Sequence, residues 1–557
     1  MTNMPPSRRH AAWLLAFGLL LPLSVTAKNP GNTGGKPSAV GSASSTQAII
    51  LAEHLAGLRF LSKAGQIRPS GFSKSGLDVT RTPLLQKPDF RKIIDPFLGK
   101  PVSLDMLHEL ETTVRKYLQA SGHAFTRVYV PPQDITGGHV QVMVIEAVAD
   151  STVEVAGAKH FPPEAYRAAI RQKPGQPIDQ TRFDEDIAWL NRNPYRHVQA
   201  MAAAGPSADT TRLGLRVTDE NPWNLTLGAD NTGTQTTGQY RQSASMQWGN
   251  AFGRGDLFDF GYSQDPGMNH FKSYNSSYVM ALPWRDVLTF SGAWSQINPI
   301  MPQPFSQTGT SWQYGARYEI PLGQGSNRGQ NSLAFTYDYK YTNNNLLFTS
   351  TPVTNNAADI IQFGAVYSAL TSLAGGSAAW DATIYVSPGN LSQHNKDASF
   401  DLLRAGAKAE YTYEKFSAHY VHPLIANLRY SLAATVQLTN ARLLGSEQLS
   451  GGGSSAVRGY RELSAFGDSG EIALNEIHLP PTRVAGGSFD TFGFFDVGHL
   501  HNNDGTPNID LKSLGVGVNY QWRKDVAIRA AFGHQLEQLS LFPHDRNRGH
   551  VAMNFSW

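Results

Sequence analysis

Apolar and polar residues alternate along most of residues 222–557, with a period of two. In residues 333–341, Leu, Phe and Tyr occupy every second position, and Ala, Thr, Asp and Lys fill the positions between them. Residues 428–438 repeat the pattern, with Leu, Tyr and Val on one face and Arg, Ser, Thr and Gln on the other. This period predicts strands with one buried face. A soluble β-sandwich would show the same alternation, so the pattern alone does not decide between a sandwich and a membrane barrel.

Three features of residues 222–557 favour a membrane barrel. Aromatic residues concentrate toward the ends of the predicted strands, short turns alternate with longer polar loops, and the chain ends on an alternating strand. That last strand carries Val551, Met553, Phe555 and Trp557 on one face. Spread over about 16 strands, the region allows roughly 21 residues for each strand and its connection, which suits strands that cross a bilayer. We therefore predict an outer-membrane β-barrel of 16 antiparallel strands.

Residues 76–221 have a different pattern, in which the order strand, helix, helix, strand, strand occurs twice. In the first copy, Ser103 can cap a helix with apolar residues at spacings of three and four, and two β-rich segments follow. In the second copy, Asp179 can cap the corresponding helix. Two copies of one order at a period of about 75 residues indicate an internal repeat. We predict two small α+β domains, at residues 76–149 and 150–221.

Residues 1–75 contain a predicted signal peptide followed by a predicted flexible linker. Arg8 and Arg9 precede an apolar run at residues 11–23 and a small-residue cleavage site, which predicts a secretory signal peptide over residues 1–27. Residues 28–75 have the composition of a flexible linker. Within this linker, residues 46–63 place Leu51, Leu55 and Leu58 on one face of a predicted helix.

Composition limits the possible functions. The chain has a net charge of +3 with 16% charged residues, so nothing points to nucleic acid or another polyanion as a partner. It contains no cysteine, which excludes disulfides and thiolate sites. It has no phosphate-binding loop and no H-E-x-x-H pair. We expect no metal, no cofactor and no enzymatic activity.

The connection at residues 440–470 is long and rich in Gly and Ser, and connections of this length are usually functional or disordered. Its centre, Val457-Arg458-Gly459-Tyr460, joins one cation, a flexible glycine and a large aromatic residue. A solvated arginine on an extracellular loop is the simpler interpretation of these four residues. On a later strand, Asp496 points away from Phe495 and Val497, which places its carboxylate in the lumen because a lipid-facing charge is costly. A solvated lumenal carboxylate with no special role stays open as an alternative for Asp496.

Several short motifs occur together in one order. They are Pro131-Pro132-Gln133-Asp134-Ile135 with Gly138, Asp230-Asn231-Thr232-Gly233, Gly445-Ser446-Glu447-Gln448, Val457-Arg458-Gly459-Tyr460, Gly467-Asp468-Ser469-Gly470 and Phe494-Phe495-Asp496-Val497-Gly498. With two repeats ahead of a barrel, the chain resembles the outer-membrane transporters of two-partner secretion systems. These ShlB/FhaC-type proteins belong to the BamA-like superfamily. The resemblance covers nearly all of the chain after the signal peptide.

The resemblance implies a role for each part. The repeats would be periplasmic POTRA domains with a turn motif at Pro132, Gln133, Asp134 and Gly138, the helix at 46–63 a pore plug, and the long loop the sixth extracellular loop, folded into the pore. Arg458 would pair with Asp496, flanked by Val457, Gly459 and Tyr460 and supported by Phe494, Phe495 and Gly498. The terminal strand would direct membrane assembly, although its last residue is Trp557 where the family more often has Phe.

The resemblance also implies partners and a location. The chain would sit in the outer membrane of a Gram-negative bacterium, bind an unfolded exoprotein through its POTRA domains, and meet lipid and the barrel assembly machinery during biogenesis. The identity of the exoprotein stays open among adhesin, cytolysin, contact-dependent toxin and haem-binding protein. Bidentate pairing of arginine with a carboxylate agrees with the chemistry of both groups.

Three rival functions were weighed against secretion. A BamA-like insertase would carry more repeats, a passive porin or adhesin would not need them, and a soluble periplasmic enzyme conflicts with the terminal strand. Gly467-Asp468-Ser469-Gly470 matches a serine-protease motif but has no context for a triad. Arg254-Gly255-Asp256 matches an adhesion tripeptide, but strand counting places it on a periplasmic turn.

Overall fold

The computed structural model describes residues 50–207, 210–323, 330–348 and 351–557. It divides into two compact units, one ending at Glu220 and one covering Asn221–Trp557. The predicted signal peptide, the linker up to residue 49 and the first four residues of the predicted plug helix lie outside the described residues. Among the described residues, no helix is long and apolar enough to cross a membrane.

The first small domain is an α+β sandwich built on a four-stranded sheet. Its elements are β1 (Ile50–Ala52), β2 (Gly57–Leu61), β3 (Gly76–Arg81), α1 (Pro88–Ile94), β4 (Val102–Ser103), α2 (Leu104–Ala120), β5 (Arg127–Tyr129) and β6 (His139–Ile145), with 3-10 turns at Ala64–Gln66, Pro83–Leu85 and Asp95–Phe97. The sheet order is β3-β2-β6-β5, and β1 pairs with β4. The hydroxyl of Ser103 accepts from the N–H of Met106 at 3.2 Å and caps α2, as its position predicts.

The plug helix predicted over residues 46–63 was wrong for residues 50–63, which form β1, β2 and a turn of this domain. Strand β2 lies between β3 and β6, and Leu58, Phe60 and Leu61 are all fully buried. A central strand covered on both faces shows no alternation, so its apolar residues can imitate a helical face. The first domain therefore begins near residue 50 and not at residue 76.

The second small domain repeats the order of helices and strands. Its elements are β7 (Val148–Ala149), β8 (Glu154–Ala156), α3 (Pro163–Ala168), α4 (Gln180–Leu190), β9 (Arg196–Ala204) and β10 (Thr210–Asp219). Strand β10 is parallel to β7 and β8 on one side and antiparallel to β9 on the other. The side chain of Asp179 accepts from the N–H of Arg182 at 3.0 Å and caps α4. Because β7 pairs in this sheet, the domain begins slightly before residue 150.

Residues 223–556 form a closed antiparallel barrel. In chain order the strands are β11 (Trp223–Asp230), β12 (Arg241–Ala251), β13 (Asp256–Gln264), β14 (Phe271–Ala281), β15 (Val287–Ile297), β16 (Phe305–Pro321), β17 (Gln330–Phe348), β18 (Thr351–Leu373), β19 (Gly376–Pro388), β20 (Glu410–Pro423), β21 (Arg429–Leu438), β22 (Leu449–Gly451), β23 (Ala465–Gly467), β24 (Ser469–His478), β25 (Thr482–Val484), β26 (Gly487–His501), β27 (Ile509–Trp522), β28 (Val526–Gln535) and β29 (Asn547–Ser556). Helix α5 (Asp397–Leu403) and a 3-10 turn at Ile425–Asn427 lie in connections. Strands β22 and β23 pair only with each other.

The wall of the barrel has sixteen strand positions, as predicted. Strands β24 and β25 both pair with β26 and follow one another along it, so together they fill one position. The last strand, β29, pairs with β28 and with β11 and closes the barrel. At this seam Leu225 and Trp557 exchange two backbone hydrogen bonds of 3.0 Å, and the hydroxyls of Thr226 and Ser556 lie 2.8 Å apart.

The two faces of the wall follow the alternation of the sequence. Phe335 is 51% exposed on the outer face, whereas its neighbour Ala334 is fully buried. On the last strand, Val551, Phe555 and Trp557 are exposed. Aromatic rings also stack on one another along the outer wall, as in the Trp223–Trp248 pair with centroids 4.8 Å apart. An apolar, aromatic outer face is what a bilayer requires of a barrel.

The new assignment of β2 makes a prediction about stability. In a soluble fragment covering residues 50–221, Leu58→Ala should lower the free energy of unfolding by about 2–5 kcal/mol, because it leaves a cavity in the core. Leu104→Ala is the matched control, since Leu104 is 57% exposed and this change should stay within about 0.5 kcal/mol. Urea denaturation measures both. Equal small effects would show that Leu58 does not belong to the core of this domain.

Candidate functional site

The long connection between β21 and β24 folds back against the inner side of the barrel wall. Its stem is the hairpin of β22 and β23. Beyond the stem, Val457 and Tyr460 are almost completely buried. They join an apolar cluster with Leu500 and Leu511 of the wall. We call residues 439–468 the pore loop.

At the tip of the pore loop, Arg458 forms a bidentate ion pair with Asp496 of β26. Nε of Arg458 donates to Oδ2 at 2.7 Å, Nη2 donates to Oδ1 at 2.7 Å, and the backbone N–H of Arg458 adds a third bond of 3.1 Å to Oδ2. Arg458 is 1% exposed and Asp496 is 0% exposed. The structure thus brings together the two charged residues that the family resemblance paired. A solvated position is excluded for both in this conformation.

Two aromatic rings of β26 support the guanidinium from below. The carbon of the guanidinium lies 3.8 Å from the centroid of Phe494 and 5.6 Å from that of Phe492. Each ring lies over a glycine of β27, because Phe494 pairs with Gly515 and Phe492 with Gly517. A Cβ at Gly515 would lie 2.4 Å from the Phe494 ring. A cation over an aromatic face gains electrostatic energy that increases in a desolvated site.

Glu476 of β24 is a second carboxylate on Arg458, and the sequence analysis missed it. Nη1 of Arg458 donates to Oε1 of Glu476, and Arg529 donates to the same oxygen at 3.0 Å. Oε2 of Glu476 lies 2.9 Å from Nε2 of His478. The available signal was the spacing of Glu476 and His478, because residues two apart on a strand share a face. The fork of Arg458 is therefore shared between two neighbouring wall strands.

Close contacts between backbones fit the tip to the wall. Gly459 has φ +89°, and a Cβ at Gly533 of β28 would lie 2.7 Å from the Gly459 nitrogen. A Cβ at Gly498 would lie 3.0 Å from a methyl group of Val457. Nε2 of Gln535 donates to the carbonyl of Gly459 at 2.7 Å. Glycines in the loop and the wall thus allow the tip to lie directly on the strands.

Tyr460 and Arg461 fix the chain after the tip. The hydroxyl of Tyr460 accepts from the N–H of Lys512 at 3.0 Å and donates to the carbonyl of Glu537. Arg461 forms an ion pair with Asp545 in the connection between β28 and β29. The bond from Arg461 lowers the pKa of Asp545.

The beginning of the pore loop is held on another part of the wall. Oε1 of Glu447 accepts from Nζ of Lys340 on β17 at 2.7 Å, and Oε2 accepts from the hydroxyl of Tyr413 on β20 at 3.1 Å. Gln437 donates to the carbonyl of Glu447 at 2.9 Å. Since Lys340 and Asp496 belong to strands far apart in the barrel order, the loop spans the lumen.

The other motif residues predicted from the sequence do not take part in the ion pair. Phe495 is 46% exposed on the outer face and does not contribute to the ion pair. In the turn motif, which begins at Pro132, the side-chain amide of Gln133 exchanges two 2.7 Å hydrogen bonds with the backbone of Gln141. Asp134 caps its own turn by accepting from Thr136 at 3.0 Å. A Cβ at Gly138, with φ +70°, would lie 2.2 Å from the carbonyl oxygen of His54. This motif stabilises the first small domain.

The lumen keeps a cavity of about 370 Å³ beside the tip of the pore loop. Its lining includes Arg458, Glu476 and Arg529 together with His419 and His550. Within the part of the chain that the structure describes, no cluster of side chains could hold a metal ion. This cavity leaves open space on one side of the tip.

Comparison with known proteins decides the family. Residues 209–520 match the family of haemolysin secretion/activation proteins ShlB/FhaC/HecB, and residues 72–147 match the ShlB-type POTRA domain. The chain belongs to the ShlB/FhaC/HecB family. It is 23% identical over 457 residues to the outer membrane transporter CdiB of Dickeya dadantii, covering 80% of each chain. It is 20% identical over 473 residues to the heme/hemopexin transporter protein HuxB of Haemophilus influenzae, again covering 80% of each.

Solved structures show the same fold. CdiB from Escherichia coli superposes with a TM-score of 0.75 at 15% identity and covers 93% of each chain. CdiB from Acinetobacter baumannii superposes with a TM-score of 0.65 at 16% identity. As a member of the ShlB/FhaC/HecB family, the protein is an outer-membrane transporter that secretes a partner exoprotein, and its POTRA domains lie in the periplasm.

The ion pair of this ShlB/FhaC/HecB transporter leads to a first test of the site. Arg458→Ala should raise the open probability of single channels in planar bilayers, because it leaves a buried carboxylate uncompensated at a cost of about 3–5 kcal/mol. Arg458→Lys should restore closure only in part, since the planar fork is lost. Arg529→Ala is the matched control, because Arg529 binds the same Glu476 but its side chain is 52% exposed. Equal effects of the two alanine variants would contradict the assignment.

A second test introduces a steric clash at the tip and changes no charged residue. Gly533→Ala puts a methyl group 2.7 Å from the backbone of Gly459, so it should displace the tip and reproduce the channel behaviour of Arg458→Ala. Gly549→Ala on the adjacent strand meets nothing within 4 Å and is the control. Channel records in planar bilayers compare the two. If channels of Gly533→Ala stay closed as often as those of the parent, the position of the tip does not depend on this contact.

Proposed function

We propose that the transporter captures its exoprotein as an extended strand on the second POTRA domain and passes it outward when the tip of the pore loop leaves Asp496. The observation that supports capture is the outer edge of β9, which among the described strands pairs only with β10. An extended segment can add to such an edge through backbone hydrogen bonds. This mode of binding suits an unfolded exoprotein, because the backbone bonds do not depend on side chains.

Hydrogen bonds at the two ends of the β9–β10 pairing show which backbone groups of β9 point toward β10. The N–H of Gly205 donates to Thr210 at 3.0 Å, and the carbonyl of Tyr195 accepts from Glu220 at 3.0 Å. Odd-numbered residues of β9 therefore face β10, since backbone groups alternate along a strand. Even-numbered residues, including Ala200 and Ala202, direct their N–H and carbonyl groups to the open side.

Asn191 already uses the open side of β9 in the way that we propose for the exoprotein. Its side-chain oxygen accepts from the N–H of Val198 at 2.7 Å, and its amide nitrogen donates to the carbonyl of Val198 at 3.0 Å. Beyond this point Ala200 and Ala202 are exposed, with small side chains that would not obstruct an incoming strand. The open segment of the edge therefore starts at residue 199.

The edges of the first POTRA domain are less suited to capture. Strand β5 has three residues and runs into Pro131-Pro132, which cannot donate backbone hydrogen bonds. Strand β3, at the other edge, has six residues. The open segment of β9, residues 199–204, is longer than β5 and equal in length to β3, and it contains four alanines.

Transport through the barrel requires space that the pore loop occupies. We propose that release of the Arg458–Asp496 pair moves the tip and opens the path, and that folding of the exoprotein outside the cell supplies the driving force. The exported partner is a large secreted protein of the two-partner type. We further propose that the outer face of β29 is recognised by the barrel assembly machinery during biogenesis and that the apolar outer wall is then covered by lipid.

Proline substitution distinguishes edge capture from other modes of binding. Ala202→Pro removes a donor on the open side only, so it should weaken binding of the exoprotein's N-terminal domain at least tenfold while the domain stays folded. Ala202→Val keeps the N–H group and should bind as the parent does. Calorimetry on residues 50–221, with the protein encoded beside the transporter gene as ligand, measures both. Unchanged affinity in Ala202→Pro would exclude capture at this edge.

A further inference from the structure

Asp468, the last residue of the pore loop before β24, is a fully buried carboxylate with an unusual number of donors. It forms an ion pair with Arg404, in which Nη2 donates at 3.0 Å and Nη1 makes a shorter bond. The backbone N–H groups of Leu443 and Asn503 donate at 2.9 and 2.8 Å, and the side chain of Gln448 donates at 3.3 Å. This set of bonds compensates the charge of a carboxylate that has no access to water.

The donors to Asp468 come from three different connections at one end of the barrel. Arg404 follows α5 in the connection between β19 and β20, Leu443 and Gln448 belong to the pore loop, and Asn503 lies between β26 and β27. Arg404 also donates to the carbonyl of Leu443 at 2.5 Å and to Oδ1 of Asn502 at 3.1 Å. We call residues 441–448 together with Asp468 the root of the pore loop. Asp468 and Arg404 thus link the root to the connection between β19 and β20 and to the connection between β26 and β27.

Apolar packing reinforces this arrangement. Phe400 of α5 and Leu443 of the pore loop are fully buried in one cluster, together with Leu444 and Tyr411. Nδ2 of Asn503 donates to the carbonyl of Ala441 at 2.8 Å. The root of the pore loop is therefore a packed unit with both charged and apolar contacts.

The root contacts lie far from the contacts of the tip along the same strands. Asp468 precedes Glu476 on β24 by eight residues, which corresponds to roughly 25 Å at about 3.3 Å per residue. On the neighbouring strand, Asn503 follows Asp496 by seven residues. The side chains that hold Arg458 are not among those that hold Asp468. The tip and the root are therefore held by separate sets of hydrogen bonds.

We propose that Arg404 and Asp468 form a second lock, which holds the root of the pore loop at the extracellular mouth while the tip is free to leave Asp496. The tip of the pore loop then moves while the root stays in place. Arg404 is a positioning residue, because it acts on the transport path through the residues of the pore loop that it holds, Asp468 and Leu443. This inference rests on the proposed role of the pore loop as the closure of the pore.

The absence of cysteine makes this proposal testable with single spin labels on the full-length transporter. Ser446→Cys reports the root and Ser455→Cys reports the tip, since both serines are exposed. Arg404→Ala should increase the mobile component of the spectrum at residue 446 at least twofold. Arg458→Ala should do so at residue 455 and leave residue 446 as in the parent. Lys408→Ala, an exposed residue of the same connection as Arg404, is the matched control.

Further variants test whether Arg404 acts through Asp468. Asp468→Asn combined with Arg404→Ala should mobilise residue 446 no more than Arg404→Ala alone. Arg404→Lys should restore part of the immobile signal and keeps the test available where the other variants do not assemble. A parental spectrum at residue 446 in Arg404→Ala, or equal mobilisation of both labels by Arg458→Ala, would overturn the second lock. If the spectra are as expected but Arg458→Ala does not secrete the exoprotein, the second lock stands and the proposed function is contradicted.

Discussion

The arginine at the tip of the pore loop is buried, and the surrounding structure compensates its charge. A guanidinium without water needs acceptors for its donors, and the structure supplies Asp496, Glu476 and the face of Phe494. A buried ion pair of this kind does not guarantee stability, because desolvation offsets much of the attraction. In the position that the structure shows, Asp496 and Glu476 together accept hydrogen bonds from Nε, Nη1 and Nη2 of the guanidinium. Removing either partner would therefore leave a buried charge unpaired.

The wall of the barrel is shaped for this one position of the loop. Glycines at 515 and 517 leave room for the two phenylalanine rings, and glycines at 498 and 533 leave room for the loop itself. None of these four glycines needs a positive φ, so space and not backbone freedom accounts for them. The cavity beside the tip leaves open space on one side of the loop.

The sequence predicted those features that depend on one strand at a time. Alternation placed the barrel wall correctly, and it placed Asp496 opposite Phe495 because side chains on a strand alternate between faces. Features that depend on several strands were missed, such as the contact of Glu476 with Arg458 and that of Arg404 with Asp468. Strand β2 was missed for a different reason, since burial on both faces erases the alternation that identifies a strand. The pairing of Arg458 with Asp496 came from the family resemblance and not from the residues alone.

A reversible cross-link at the tip shows whether the pore loop has to leave the wall during secretion. Val457 and Gly498 lie in contact, so cysteines at these two positions can form a disulfide in a chain that has no other cysteine. Secretion of the partner exoprotein should stop when this disulfide forms and resume after reduction, while each single-cysteine variant should secrete under both conditions. Equal secretion by the oxidised and the reduced double variant would contradict the account, because the tip would then not have to leave the wall.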